Sequence, residues 1–262
     1  MYQSKRSKEA KLRQEMVDIF KLMYQHRYIV AGDGNVTCKL SDKEILITPS
    51  GVPKGYMKPE DMVIMDYEGN KLCRNPFKPS TERRVHLEVY RVRPDVEAVC
   101  HAHPRHCIAF SLAGETLAQC MLPEVVITLG SIPTTKYVTP TSADGPLAVS
   151  GLIKDYNAII LNRHGSVTVG NTLMEAYNRL ETIEHTAEIT SIAKKLGPIE
   201  PLPKEEVAKL MAIGHSFGAT PKIQETVCDH CNACPNGKLP RPGSLTNQLK
   251  AELNRIKNSS NS

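Results

Sequence analysis

The segment VEAVCHAHP constrains this chain more than any other. It is an apolar run of strand length that ends in two histidines and a proline, and alternate side chains of a strand share one face. His101 and His103 are therefore expected to project together from the end of a buried strand. That is what a divalent transition metal requires of its first two ligands. An H-x-H pair alone is a weak signal, so its meaning depends on what completes the site.

The remaining periodicities give an α/β chain of the α+β type. Leu12, Met16, Ile19, Phe20 and Met23 follow a helical repeat, with Ser7 as the expected cap, and the helix stops before the loop AGDGN. ILIT reads as a strand, and MVIMDYEGNKL as a hairpin-like pair around Gly69 and Asn70. STERRVHLEVYRVR reads as a helix capped by Ser80 or Thr81, with Val85, Val89 and Val92 in register. Pro104 opens a further helix through RHCIAFSLAG, and NAIILNRHGSVTVG gives two paired strands around Arg163, His164 and Gly165. The strongest helix begins at Thr172, which has capping-box spacing to Glu175, and ends at Gly197; Leu173, Tyr177, Leu180, Ile183, Ala187 and Ile189 mark its apolar face. From about Pro198 the chain is rich in proline and cysteine, then basic and polar, and reads as a tail with a flexible end at KNSSNS.

Composition excludes several classes. A chain of 262 residues with 40% hydrophobic and 23% charged residues can bury a full core as one large domain with a tail. The net charge of +5 gathers at the two ends, and with no Trp and only four Phe there is little to stack on bases, which argues against nucleic acid. No run approaches a membrane span and the first residues lack the apolar core of a signal peptide, so no membrane association and a cytoplasmic location are expected. There the eight cysteines should be thiols or metal ligands.

Candidate site residues fall at the ends of these elements. Glu82 lies at a predicted helix start, His101 and His103 end the next strand, and His164 lies at the tip of the later strand pair. Three imidazoles and a carboxylate from separate elements could meet around one ion, and zinc with three nitrogen ligands keeps a fourth position open, as catalytic sites do. Gly34-Asn35-Val36-Thr37, Pro49-Ser50-Gly51 and Ser80-Thr81 offer small residues, backbone N–H groups and short polar donors suited to an anion, the last at a helix N-terminus. His185 is expected to pack within its helix, Arg105 and Lys136 to lie on the surface, and His86 and His106 are given no role.

These motifs, GNVT, TPSG, STE, HAH and RHG, occur in the order and spacing of the class II aldolase/adducin family, which the chain resembles from about residue 10 to 197. Among its members the chain is most similar to the L-fuculose-phosphate aldolases and related 5-deoxypentulose-1-phosphate aldolases. The resemblance implies a central, mainly antiparallel sheet flanked by helices, with 1–197 as the catalytic domain and 198–262 as a C-terminal extension. It implies that His101, His103 and His164 bind Zn²⁺, with Mn²⁺ or Co²⁺ as substitutes. Glu82 would ligate the resting metal and then act as acid/base, and Gly34, Asn35, Ser50, Gly51, Ser80 and Thr81 would hold the substrate phosphate. It further implies a homotetramer with sites at subunit interfaces and retro-aldol cleavage of a ketose 1-phosphate to dihydroxyacetone phosphate and an aldehyde.

The sequence departs from that pattern twice. Where the aldolases carry a mobile Tyr as second proton donor, this chain has MLPEV, leaving Glu124 or Tyr137 as candidates; a Glu here also suits a methylthioribulose-1-phosphate dehydratase. The second departure is Cys228, Cys231 and Cys234, spaced C-x-x-C-x-x-C as for zinc or part of an iron–sulfur cluster, with His215, His230 or Cys38 as a fourth ligand, or as a redox-sensitive thiol group. Sugar-phosphate 4-epimerases of the family carry Asp where this chain has Glu82. Adducin-type interaction modules lack the metal histidines.

Overall fold

The computed structural model describes residues 2–216. Cys228, Cys231, Cys234, His230 and the polar end lie outside the described residues, as does the side chain of His215. A six-stranded sheet forms the centre, in the order β3-β2-β1-β4-β6-β5, from β1 (Asn35–Ser41), β2 (Glu44–Ile47), β3 (Val63–Met65), β4 (Ala98–Ala102), β5 (Ala158–Leu161) and β6 (Gly165–Gly170). Every neighbouring pair is antiparallel. Seven described helices flank it: α1 (Tyr2–Gln25), α2 (Arg83–Val92), α3 (Arg105–Leu112), α4 (Pro123–Thr128), α5 (Asp144–Ile153), α6 (Leu173–Leu196) and α7 (Lys204–Ser216).

The period of two along β4 divides the core. Ala98, Cys100 and Ala102 face α1, α3 and α6, where Phe20, Met23, Cys107, Leu180 and Ile183 close the first layer. Val99 faces the other way, with Ile45, Val167, Val169, Val89, Val149 and Ile153 under α2 and α5. His101 has the parity of Val99, which turns it toward α2, the helix that begins just after Glu82.

Several local expectations are corrected. Helix α1 begins at Tyr2, so Ser7 lies inside it and caps nothing. Neither Ser80 nor Thr81 caps α2; Glu82 holds that position, and its own N–H donates to Ser80 Oγ at 3.3 Å. At α6 the expected box forms, Thr172 Oγ1 accepting from the Glu175 amide at 3.0 Å, but Ile189 is 36% exposed and Thr190 takes the buried place. Pro104 stands at the N-cap of α3 and offers no side-chain cap; the buried Glu184 carboxylate of α6 accepts the His106 and Cys107 amides instead.

Within 198–262, residues of α7 pack onto the body of the fold. Val207 and Met211 close over Cys120 and Val126, beside α4, in a small apolar cluster of their own. Cys38 is sealed in the first core layer against Met16. Among the described residues no helix is long and apolar enough to cross a membrane.

Candidate metal centre

Three elements bring the histidines together. His101 is the fourth residue of β4, His103 lies just beyond its end, and His164 sits in the tight β5–β6 turn. That turn depends on its backbone: Arg163 has φ 60°, and a Cβ at Gly165 would meet the Ala102 carbonyl oxygen at 2.2 Å. Only glycine lets β6 approach β4 closely enough for His164 to reach the pair.

The three rings stand 4.9 to 5.0 Å apart between centroids, and each offers a nitrogen within 4.8 Å of the others. His101 Nδ1 donates to the Ser166 carbonyl at 2.8 Å, which leaves Nε2 to face the centre. His103 Nε2 lies 3.2 Å from His101 Nε2. Nitrogens on a tetrahedral zinc, at ~2.0–2.1 Å from the ion, are separated by roughly 3.3 Å. The donor set and its spacing fit a divalent transition metal.

Glu82 lies beside the three histidines. Its Oε2 lies 3.3 Å from His101 Nε2, and its Oε1 lies 3.4 Å from His164 Nε2. Burial pushes its carboxyl upward, but His101, His164 and the Asn35 amide outweigh that and hold it well below the usual carboxylate range. His101 is likewise opposed by burial, yet Glu82 and the Ser166 carbonyl raise it. Burial and the charge of His101 lower His164 to about 4, and both lower His103. Both shifts favour the neutral imidazole, the form that can ligate a metal.

The segments expected to meet an anion also converge. A bridge between Pro49 and Pro79 sets Ser50 and Gly51 beside Ser80 and Thr81. The amides of Ser50 and Ser80 are committed to the carbonyls of Lys78 and Thr48 and are not open to an anion. Behind it Lys54, 3% exposed, donates to the Pro49 carbonyl, and burial lowers its ammonium to about 8. Gly34 has φ 76°, and a Cβ there would meet Ile29 at 2.7 Å and the His101 carbonyl at 3.0 Å. The Asn35 amide lies 2.7 Å from Glu82 and 2.5 Å from His86.

Glu124 is exposed in the first turn of α4, and among the described residues it makes no ion pair with the histidines. The segment beside Glu82 and His164 is instead Val138 to Thr141, with Asn162. Tyr137 is 57% exposed. Sequence reasoning missed Asp33, whose carboxylate lies 3.3 Å from His103 Nδ1, and gave no role to His86, which is fully buried behind Asn35.

Comparison with known proteins agrees with this architecture. A family model, Class II Aldolase and Adducin N-terminal domain, matches residues 14–191. An L-fuculose phosphate aldolase of Methanococcus vannielii is 36% identical over 178 residues, covering 68% of this chain and 94% of the relative. A 3-oxo-tetronate 4-phosphate decarboxylase of Escherichia coli strain K12 is 33% identical over 208 residues, covering 77% and 96%. A solved structure of an L-fuculose 1-phosphate aldolase superposes with a TM-score of 0.72 at 25% identity, covering 80% of this chain and 97% of that one. The chain belongs to the class II aldolase/adducin family.

Proposed function

We propose that this chain is a zinc-dependent class II aldolase that cleaves a ketose 1-phosphate of the fuculose or 5-deoxypentulose type to dihydroxyacetone phosphate and a small aldehyde. The observation that carries this reading is the meeting of His101, His103 and His164 with Glu82 within a family whose relatives include L-fuculose phosphate aldolases. Bound to these histidines, zinc supplies Lewis acidity toward a substrate carbonyl. The hydroxyls of Ser50, Ser80 and Thr81, with Gly34 and Gly51 shaping the loops, hold the phosphate and spend its binding energy on orienting the reacting carbons. As the C–C bond breaks, its electron pair passes to the carbon beside the carbonyl. Glu82, ionised in the free site, takes up a proton from solvent and passes it to that carbon, completing the triose phosphate, while the proton lost from the hydroxyl of the departing carbon balances the one taken up. The departing carbon becomes an aldehyde as its hydroxyl loses a proton. Glu124, exposed on α4, is the candidate to receive it across an interface of a homotetramer.

A second reading is favoured by the decarboxylase relative, which matches a larger share of the chain than the aldolase does. Loss of carbon dioxide from a 3-oxo acid phosphate also leaves an electron pair beside a carbonyl, so the same residues serve it. Zinc-loaded protein supplied separately with L-fuculose 1-phosphate and with 3-oxo-tetronate 4-phosphate distinguishes the two. Dihydroxyacetone phosphate with an aldehyde from L-fuculose 1-phosphate supports the aldolase, dihydroxyacetone phosphate with carbon dioxide from 3-oxo-tetronate 4-phosphate replaces it, and release of neither aldehyde nor carbon dioxide removes both. Water loss from methylthioribulose 1-phosphate without triose release would assign the dehydratase.

A further inference from the structure

A line of buried polar side chains runs away from Glu82 beneath α2. Asn35 Nδ2 lies 2.7 Å from Glu82 Oε2, Asn35 Oδ1 lies 2.5 Å from His86 Nε2, His86 Nδ1 lies 2.8 Å from Thr37 Oγ1, and Thr37 Oγ1 lies 2.9 Å from Tyr90 OH. Asn35, Thr37, His86 and Tyr90 are all between 0% and 4% exposed. The spacing explains the alignment. Residues 35 and 37 share the α2 face of β1, while 82, 86 and 90 recur every four residues down one side of the helix.

The direction of this chain is determined by its end. An ionised carboxylate only accepts, so the Asn35 amide must turn its NH₂ to Glu82 and its Oδ1 to His86. Oδ1 only accepts, so His86 Nε2 carries the proton. Burial and the charge of His101 keep His86 neutral, lowering it to about 3, so Nδ1 is bare and accepts from the Thr37 hydroxyl. The Thr37 oxygen in turn accepts from Tyr90. Every donor points toward Glu82, and bonds aligned in this way polarise one another. If the His86 tautomer were reversed, Nε2 would present a lone pair to Asn35 Oδ1. The amide would then flip and set its oxygen against the carboxylate.

We propose that His86 is a positioning residue: held by Thr37 as the Nε2–H tautomer, it fixes the Asn35 amide, which anchors one oxygen of Glu82 while the other exchanges with substrate. The proposal rests on the reading of Glu82 as the acid/base group. A purely packing role for these residues would be indifferent to the direction of the hydrogen bonds, and that difference makes the idea testable.

The decisive comparison is wild type, Thr37→Val and Thr37→Ser in the full chain, by ¹⁵N NMR of the His86 ring and of the Asn35 side-chain amide. Wild type and Thr37→Ser should show neutral His86 protonated at Nε2 and an Asn35 amide proton protected from solvent exchange. Thr37→Val, nearly isosteric, should lose the Nε2–H tautomer and that protection. Cleavage measured on the same zinc-loaded proteins should fall roughly 10–100-fold in kcat for Thr37→Val, with KM and zinc content unchanged, and should recover in Thr37→Ser. His86 protonated at Nδ1 in the wild type overturns the proposal, as does Thr37→Val with an unchanged kcat. The NMR readings need no turnover, so they decide the orientation even if the proposed substrate class is wrong; should Thr37→Val not fold, the wild-type tautomer still decides.

Discussion

Asp33 stands behind His103: its carboxylate lies 3.3 Å from Nδ1 while the opposite nitrogen, Nε2, is turned toward His101. A carboxylate in this place orients the ring and increases its basicity toward a metal. Replacing Asp33 by Asn should therefore weaken metal affinity roughly 10–100-fold without unfolding the chain. Competition against a chromophoric chelator measures it, and unaltered affinity would show that His103 needs no support.

Gly165 sets the approach of β6 to β4. In Gly165→Ala the new methyl would meet the Ala102 carbonyl oxygen at 2.2 Å and His103 Cδ2 at 2.9 Å, and the backbone atom cannot yield as a flexible side chain would. Overpacking of this kind costs about 1–3 kcal/mol. Chemical denaturation should show at least that loss, together with reduced metal retention. A variant as stable as wild type would mean that the strands are farther apart than described.

How far the fold and site can be read from sequence follows from the same contacts. The apolar runs of β4 and β5 and the capped repeat of α6 were legible because burial there is continuous and the ends carry standard signals. Strand β1 was hidden because Asn35 and Thr37 turn polar groups inward, toward Glu82 and His86, which breaks the expected alternation. Helices α4 and α5 are short and contain Pro or Gly, and α7 follows a proline-rich stretch that reads as a tail. His101, His103, His164 and Glu82 were legible as motif ends. Asp33 and His86 were not, since their partners lie 70 and 51 positions away respectively.

Acid should destabilise the metal-free protein through His86. Its folded value is about 3 against an ordinary 6.5, so between these values the unfolded chain holds the additional proton and stability falls as pH drops. The slope from this residue is about 1.4 kcal/mol per pH unit. His164, lowered to about 4, adds to the loss over most of that range. The raised His101 contributes stability below about pH 6.5 that is lost as pH rises through its folded value, and the lowered Glu82 contributes stability above its ordinary value of 4.5 that is lost in acid. Urea denaturation of wild type and His86→Gln from pH 7 to 4 isolates the His86 part. The difference should be constant near neutrality and change below pH 6.5; parallel curves would contradict a neutral buried His86.

Helix α7 should contribute to the stability of the whole fold. Met211 is 7% exposed and closes over Cys120 and Val126, so Met211→Ala should cost about 2 kcal/mol or more in equilibrium unfolding. A change below about 0.5 kcal/mol, the range of surface substitutions, would mean that the helix does not dock in solution.

The central claim is that His101, His103 and His164 together hold the ion on which the chemistry depends. Its most direct test is the metal content of purified wild type and His164→Ala after exposure to zinc and removal of loosely bound metal. The account predicts one zinc held per wild-type metal centre and none retained there in His164→Ala, with the fold intact by circular dichroism. So that no zinc on Cys228, Cys231 or Cys234 could enter the count, both proteins should carry Ser at these three positions. Full zinc occupancy in that His164→Ala protein would contradict the centre as assigned.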